Sequence, residues 1–366
     1  MLADDPVLPD WADGCVTHLV PGLIGVERLP SVAPASLVDA SAVVLVVIDG
    51  LGWHQLQQFS SLAPTLSALE GGPITTVAPS TTSAALTSIT TGSAPGEHGI
   101  VGYRVDVEGE NLNCLSWRTP SGDARDRIVP ESFQALEPFF GERPVVVQNS
   151  PFQSTGFTRA HLRGTRQQNW RTLPTLPVEV RRAVAAGEPF VYAYYDGIDK
   201  IAHEFGFGEH YRAELTMVDR MIGDLVMALP RGAAVVVTAD HGLVDCTDGH
   251  SELHDDVWAL TDRSSGEARF RWLHAKPGRA RDLLEITRHH HADRAWVVSV
   301  EQAIDERWLG PVVSDAARTR LGDVAVAARD HWFFADRADA TPHWLIGRHG
   351  SLSEAEMHVP MLCHLS

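Results

Sequence analysis

The chain has 366 residues, 44% hydrophobic and 21% charged, a balance that suits a folded protein with a sizeable buried core and excludes a disordered one. Its formal net charge of -17 argues against a surface that grips nucleic acid nonspecifically, because such binding rests on Lys and Arg neutralising phosphates. Four scattered cysteines, Cys15, Cys114, Cys246 and Cys363, form no CxxC pair and argue against a cysteine-based zinc site or a dense disulfide framework.

Residues 1–40 are rich in proline and small residues and lack periodicity, so they are expected to form an N-terminal segment packed on the surface. The acidic start MLADDPVLPDWADG lacks the basic residues and apolar run of a secretory signal. The longest clean aliphatic run, Ala42–Ile48, falls far short of the ~20 residues of a membrane span. A soluble cytoplasmic chain with no membrane contact is the expectation.

The run over 42–48 predicts the first core strand, because continuous Val, Leu and Ile mark strands buried on both faces of a parallel sheet. It ends on Asp49, and Gly50 and Gly52 follow, where the backbone can turn sharply. Alone, Asp49 could equally cap a helix. The stretch Thr75–Thr91 is crowded with Ser and Thr and predicts a helix starting at about Thr82. Its hydroxyls are candidate caps and candidate nucleophiles, and composition does not choose among them. His98, in PGEHGI, is expected to fix local structure.

Further strand-like runs occupy Pro144–Gln148, Phe190–Tyr195, Ala233–Thr238 and Ala295–Val300. Between them Tyr211–Leu229 predicts a helix, with Leu215, Val218, Met221, Ile222, Leu225 and Val226 at helical spacing. This alternation predicts an α/β fold, a doubly wound, mostly parallel sheet with helices on both faces. Asp199 and His203 follow the 190–195 run four residues apart, so a helix there would set them on one face. Asp240 and His241, before Gly242, leave the 233–238 run as Asp49 leaves the first. His349 precedes Gly350 near the C-terminus. The roughly hundred residues between, charged over Asp262–Arg294, are expected to form an inserted cap over the ligand edge, the alternative being an excursion far from it. His289, His290 and His291 read as a solvated loop, while His250 and His254, beside Asp255 and Asp256, are open to a further metal or substrate role.

Six Asp and His donors at the ends of separate strands can converge only along one edge of an open α/β sheet. With cysteine absent, such a set suits zinc, with manganese or iron as alternatives. The order of the pieces, together with TTVAPSTTSAALTSITTGSAPGEHGIVGY at Thr75–Tyr103, resembles the alkaline phosphatase superfamily and, within it, the nucleotide pyrophosphatase/phosphodiesterase branch. The matching pieces run from residue 43 to residue 350.

The resemblance implies an alkaline phosphatase-like catalytic core over 41–242 and 343–366, with the inserted cap over 243–342. It implies two divalent metal ions, one on Asp199, His203 and His349 and the other on Asp49, Asp240 and His241. Its Thr-Gly-x-x-Pro-x-x-His-Gly element, here TGSAPGEHG, selects Thr82 as the nucleophile, with Thr81 one residue away as the alternative. A helix N-terminus there would aim N–H groups at a phosphoryl oxygen.

Four positions depart from the family pattern. The oxyanion-binding Asn of the family falls on Tyr103, whose hydroxyl can donate but with a different reach. Arg104 beside it offers charge for a phosphoryl dianion. Ser83, Ala84 and Ala85 replace the aromatic and Asn residues that follow the nucleophile. The implied function is cleavage of phosphodiester or pyrophosphate bonds of nucleotides or related small molecules through a phospho-threonine intermediate. Alternatives are a phosphomonoesterase or phosphonate hydrolase of the same superfamily, or a non-catalytic metal-containing binding module. The expected partner is a small phosphoester or nucleotide, and the sequence does not specify an oligomeric state.

Overall fold

Three of the aliphatic runs lie side by side at the centre of one sheet in the computed structural model, which describes residues 5–335 and 345–366. The sheet has seven strands: β1 (Ala42–Ile48), β2 (Glu70–Thr75), β3 (Val145–Val147), β4 (Arg166–Gln167), β5 (Phe190–Tyr195), β6 (Ala233–Thr238) and β7 (His358–Leu365). Their order is β2-β7-β6-β1-β5-β3-β4. β1 runs parallel to both neighbours, with Val44 opposite Val191 and Val235. β1, β5 and β6 are buried along their whole length, which is why their sequences are apolar runs and not alternating patterns. β3 and β4 continue the parallel side, and β7 and β2 close the other edge antiparallel.

Helices α1 (Thr82–Thr91), α2 (Gly197–Phe205) and α3 (Glu209–Ala228) connect and cover these strands. The predicted helix over 211–229 is α3, which starts two residues earlier behind its N-cap Gly208 and buries Leu215, Val218, Met221, Ile222 and Leu225. α1 is buried at every position despite its polar composition. Its hydroxyls turn back onto the helix: Thr87 donates to the Ser83 carbonyl (2.7 Å), Thr90 to Leu86 (3.0 Å) and Thr91 to Thr87 (2.7 Å). Self-satisfaction of this kind lets a Thr-rich helix sit in the core without orphaned donors.

Three expectations need correction. Residues 15–20, expected on the surface, enter the core: Cys15, Val16, Leu19 and Val20 are fully buried. They do so as a short 3-10 turn (Val16–His18) and one α turn (Leu19–Leu23), too brief to show a period. The run at 295–300 is a strand, Ala295–Ser299, but not of the main sheet. It is the edge of a second, antiparallel sheet ordered Thr261–Glu267, Phe270–Ala275, Val324–Ala328, Ala295–Ser299.

That second sheet is apolar on both faces. Along Val324–Ala328, Val324, Val326 and Ala328 join a separate cluster with Leu253, Val257 and Leu283, while Ala325 and Ala327 join the main core. Two further helices, α4 (Asp255–Leu260) and α5 (Ala280–His291), belong to this part of the chain. His289–His291, expected in a solvated loop, form the last turn of α5, and His291 is buried because it packs edge-on against Phe334. The expected boundary at 342/343 lies outside the described residues. Among the described residues, no helix is long and apolar enough to cross a membrane.

Candidate active site

The C-terminal ends of β1, β5 and β6 deliver their Asp and His residues to one place, the edge at which parallel sheets collect ligands. Asp49 follows β1. Gly50 then turns at φ 75, and a Cβ on it would lie 3.0 Å from both Cα and Cβ of Asp199, so glycine here lets the two strand ends approach. The Asp49 carboxylate accepts a hydrogen bond from the Tyr194 hydroxyl on Oδ2, while Oδ1 is buried without a partner. Asp240 Oδ1 accepts from the backbone N–H of Gly50 and of His241, each at 3.1 Å, and its Oδ2 is likewise orphaned. Asp199, in the first turn of α2, leaves Oδ1 buried and unpartnered.

The three histidines share one orientation. Nδ1 of His241 lies 3.0 Å from the Gly242 carbonyl, Nδ1 of His203 lies 2.6 Å from that of Gly347, and Nδ1 of His349 lies 3.0 Å from that of Ser80. A carbonyl oxygen only accepts, so each Nδ1 must carry the proton and donate it, which leaves each Nε2 as the ring's lone-pair atom. Those Nε2 atoms face the carboxylates: His241 is 3.4 Å from both Asp49 and Asp240, His203 is 3.3 Å from Asp199, and His349 is 3.8 Å from Asp199. Main-chain fixing of the far ring nitrogen is how metal-ligating histidines are usually oriented.

Electrostatically the cluster is incomplete without positive charge. Burial pushes the Asp49 carboxyl well above its usual range, and Asp240 and Asp199 push it the same way. Asp240 is raised too, chiefly by burial. At Asp199 burial also acts upward, but His203, His349 and His241 outweigh it and hold the carboxyl below the usual range. His349 is driven well below the ordinary imidazole value by burial and by His241, whose ring stacks on it at 3.6 Å. Divalent cations would relieve the mutual repulsion of three buried carboxylates and occupy the orphaned oxygens. The oxygen and imidazole donors, with no sulfur among them, fit such ions.

All six predicted ligands converge, with one difference in grouping. Asp49, Asp240 and His241 form one tight triad, and Asp199 and His349 form another that also includes His241. His203 stands one step outside, against Asp199.

Thr82 opens α1 with its hydroxyl 3.1 Å from His241 Nε2. Thr81, the alternative, is the N-cap; its hydroxyl does not cap the helix but bonds Glu267 instead. Thr82 also marks the junction of two cavities. One, of about 270 Å³, is lined by Leu86, Leu115, Phe152, Phe157, Tyr194 and Lys200. The other, of about 350 Å³, is lined by Tyr103, Arg104, Glu267, His203, Arg348 and His349. Tyr103 and Arg104 thus sit in the site, and the Tyr103 hydroxyl accepts from Asn113 Nδ2 at 2.6 Å. His98 lies apart from it, buried, bonded to Ser88 (2.9 Å) and accepting from the Ile100 N–H (3.1 Å).

Sequence reasoning missed Glu267, Lys200, Arg348 and Tyr194. Glu267 comes from the second sheet, and burial lifts its carboxyl to about 8. Its Oε1 has no partner. Lys200, next to Asp199 and ion-paired with Asp196, could have been found from its neighbour; the others carried no signal.

The sequence model of the type I phosphodiesterase / nucleotide pyrophosphatase family matches residues 43–352. Among solved structures, murine ectonucleotide pyrophosphatase/phosphodiesterase 5, as an inactive variant in complex with AMP, is similar with a TM-score of 0.65 at 18% identity over 88% of each chain. The human counterpart gives 0.62 at 17% identity, over 88% of this chain and 87% of that one. Phosphonoacetate hydrolase from Sinorhizobium meliloti, in complex with phosphonoacetate, gives 0.65 at 18% identity, over 89% and 90%. None of the curated proteins matches the chain. At these identities the structural likeness shows the fold.

Proposed function

Since the chain belongs to the type I phosphodiesterase / nucleotide pyrophosphatase family of the alkaline phosphatase superfamily, we propose that it is a metal-dependent hydrolase cleaving phosphodiester or pyrophosphate bonds of nucleotides or related small molecules. The observation that carries this reading is the Thr82 hydroxyl 3.1 Å from one of three imidazoles whose Nε2 atoms face carboxylates that each leave one oxygen orphaned. Two divalent ions, zinc first, held by Asp49, Asp240 and His241 and by Asp199, His203 and His349, would lower the pKa of a nucleophilic hydroxyl and offset phosphoryl charge.

In this mechanism the Thr82 oxygen attacks phosphorus and displaces the leaving oxygen, which departs with a proton. Water then cleaves the phospho-threonine ester and regenerates the hydroxyl. The first turn of α1 has no side-chain cap at Thr81, so its N–H groups are available to a phosphoryl oxygen. Tyr103 and Arg104 flank the same group from the polar cavity, and the apolar cavity takes a ring or alkyl substituent of the ester. Residues 243–342 act as the cap in this scheme, a reading supported by Glu267 and Ala268 lining the polar cavity.

A second reading, hydrolysis of a monoester or a phosphonate, is favoured by Arg104 and Arg348 in that cavity, which suit a more highly charged anion. One assay separates the two: rates on a nitrophenyl nucleotide diester and on nitrophenyl phosphate, with a chelated control. Chelator-sensitive preference for the diester supports the first reading, and preference for the monoester the second. Thr82→Ala should lower turnover by orders of magnitude with bound metal unchanged; near-normal turnover overturns the nucleophile.

A further inference from the structure

Outside the cluster of strand-end ligands, the histidines of the inserted region make a second constellation. Among the described residues three groups of converging donors occur, and the one outside the active site is His254, Asp256 and His290, all three donor atoms within 4.8 Å of one another. His254 is the N-cap of α4, Asp256 lies in the first turn of that helix, and His290 in the last turn of α5. The Asp256 carboxylate is 3.3 Å from His254 Nδ1 and 3.4 Å from His290 Nε2. The two imidazole rings stack 3.7 Å apart at 10°.

We infer that His254, Asp256 and His290 form a binding site for a borderline divalent cation such as zinc, joining α4 to α5. Two lines of geometry support it. Ligand atoms held tetrahedrally at about 2.0 to 2.1 Å from zinc stand about 3.3 to 3.4 Å from each other. The two carboxylate-to-imidazole separations have that value. Independently, His290 Nε2 is buried from solvent and has no hydrogen-bond partner, although the Asp256 carboxylate lies 3.4 Å away. A ring nitrogen so placed is a donor atom in want of an acceptor or a cation.

The frame is also prepared. His291, next to His290, accepts the backbone N–H of His254 on Nε2 at 3.1 Å, so the start of α4 is already tied to the end of α5. One contact competes: His254 Nδ1 accepts the Asp256 N–H at 3.2 Å, a long bond that a cation would displace. His254 and Asp256 are half-exposed or more, so ions reach the site directly and water can complete the coordination. Two imidazoles and one carboxylate select zinc, cobalt, nickel or copper over magnesium or calcium.

The test is zinc content per chain, by plasma mass spectrometry, after the metal-free protein is dialysed against buffered zinc. The wild-type chain is compared with His254→Gln, Asp256→Asn and His290→Gln, and with His289→Gln as a control. The expected result is about one zinc equivalent fewer in the three ligand variants, an unchanged value in the control, and unchanged rates on the nitrophenyl nucleotide diester in all. Wild-type zinc content in His290→Gln overturns the site. So does an equal loss in the control.

Discussion

Glu356→Gln should destabilise the fold by about 3–5 kcal/mol, the usual consequence of stripping one partner from a buried ion pair. The pair is Arg269–Glu356, both side chains fully buried. Arg269 Nε donates to Oε1 at 2.7 Å and Nη2 to Oε2 at 2.8 Å, the bidentate arrangement in which guanidinium and carboxylate bind most strongly. Burial alone would depress the arginine, but Glu356 more than compensates and holds the guanidinium above its usual value. It therefore cannot escape by losing its proton, and the amide of Gln leaves a buried cation facing neutral acceptors alone, the carbonyls of Trp332 and Ala328, the Cys246 sulfur and the amide oxygen itself.

The consequence reaches the site, because Glu356 also accepts the Ser351 N–H (2.9 Å), two residues past His349, and its own carbonyl accepts the Gly242 N–H (2.8 Å) beside His241. Chemical denaturation of chelated protein reads the stability, and the singles Arg269→Met and Glu356→Met with their double variant form the cycle. The double variant should recover most of the loss, since an apolar pair asks for no charge compensation. A single-variant loss below about 1 kcal/mol, or a double variant as unstable as the sum of the singles, refutes the reasoning.

Acid should weaken the fold already below about pH 6.5, well above the ordinary range of exposed carboxylates. Burial, aided by Arg320, depresses His98 to about 3, and burial depresses His161 to about 4, while the unfolded chain takes up these protons near 6.5. The unfolded state then binds more protons below pH 6.5, so stability falls with pH, by about 2 kcal/mol per histidine at pH 5. Unfolding curves at pH 7 and pH 5 check it, and equal midpoints would contradict it. Tyr194→Phe removes the hydrogen bond to Asp49 Oδ2 and should weaken the zinc binding proposed for the candidate site about 10- to 100-fold, read by competition with a chromogenic chelator. Unchanged affinity would show that the phenol does not orient the carboxylate.

The strand-end acids and histidines were legible because β1, β5 and β6 are buried on both faces, so each apolar run ends abruptly where the first polar side chain appears. The same logic failed at Ala295–Ser299, an equally apolar run that is the edge of an antiparallel sheet with apolar packing on both sides. What holds the candidate site in shape left no trace at all. The three imidazoles are aimed by carbonyls of Gly242, Gly347 and Ser80, and a carbonyl is supplied by every residue type. Glu267 reaches the polar cavity only because the second sheet packs against the segment that follows α1, with Trp272 donating to the Val101 carbonyl at 3.1 Å as one of the ties. Sequence therefore exposes the donors of such a site through composition and period. The orientation of each lone pair is set by main-chain geometry and becomes visible only in the folded chain.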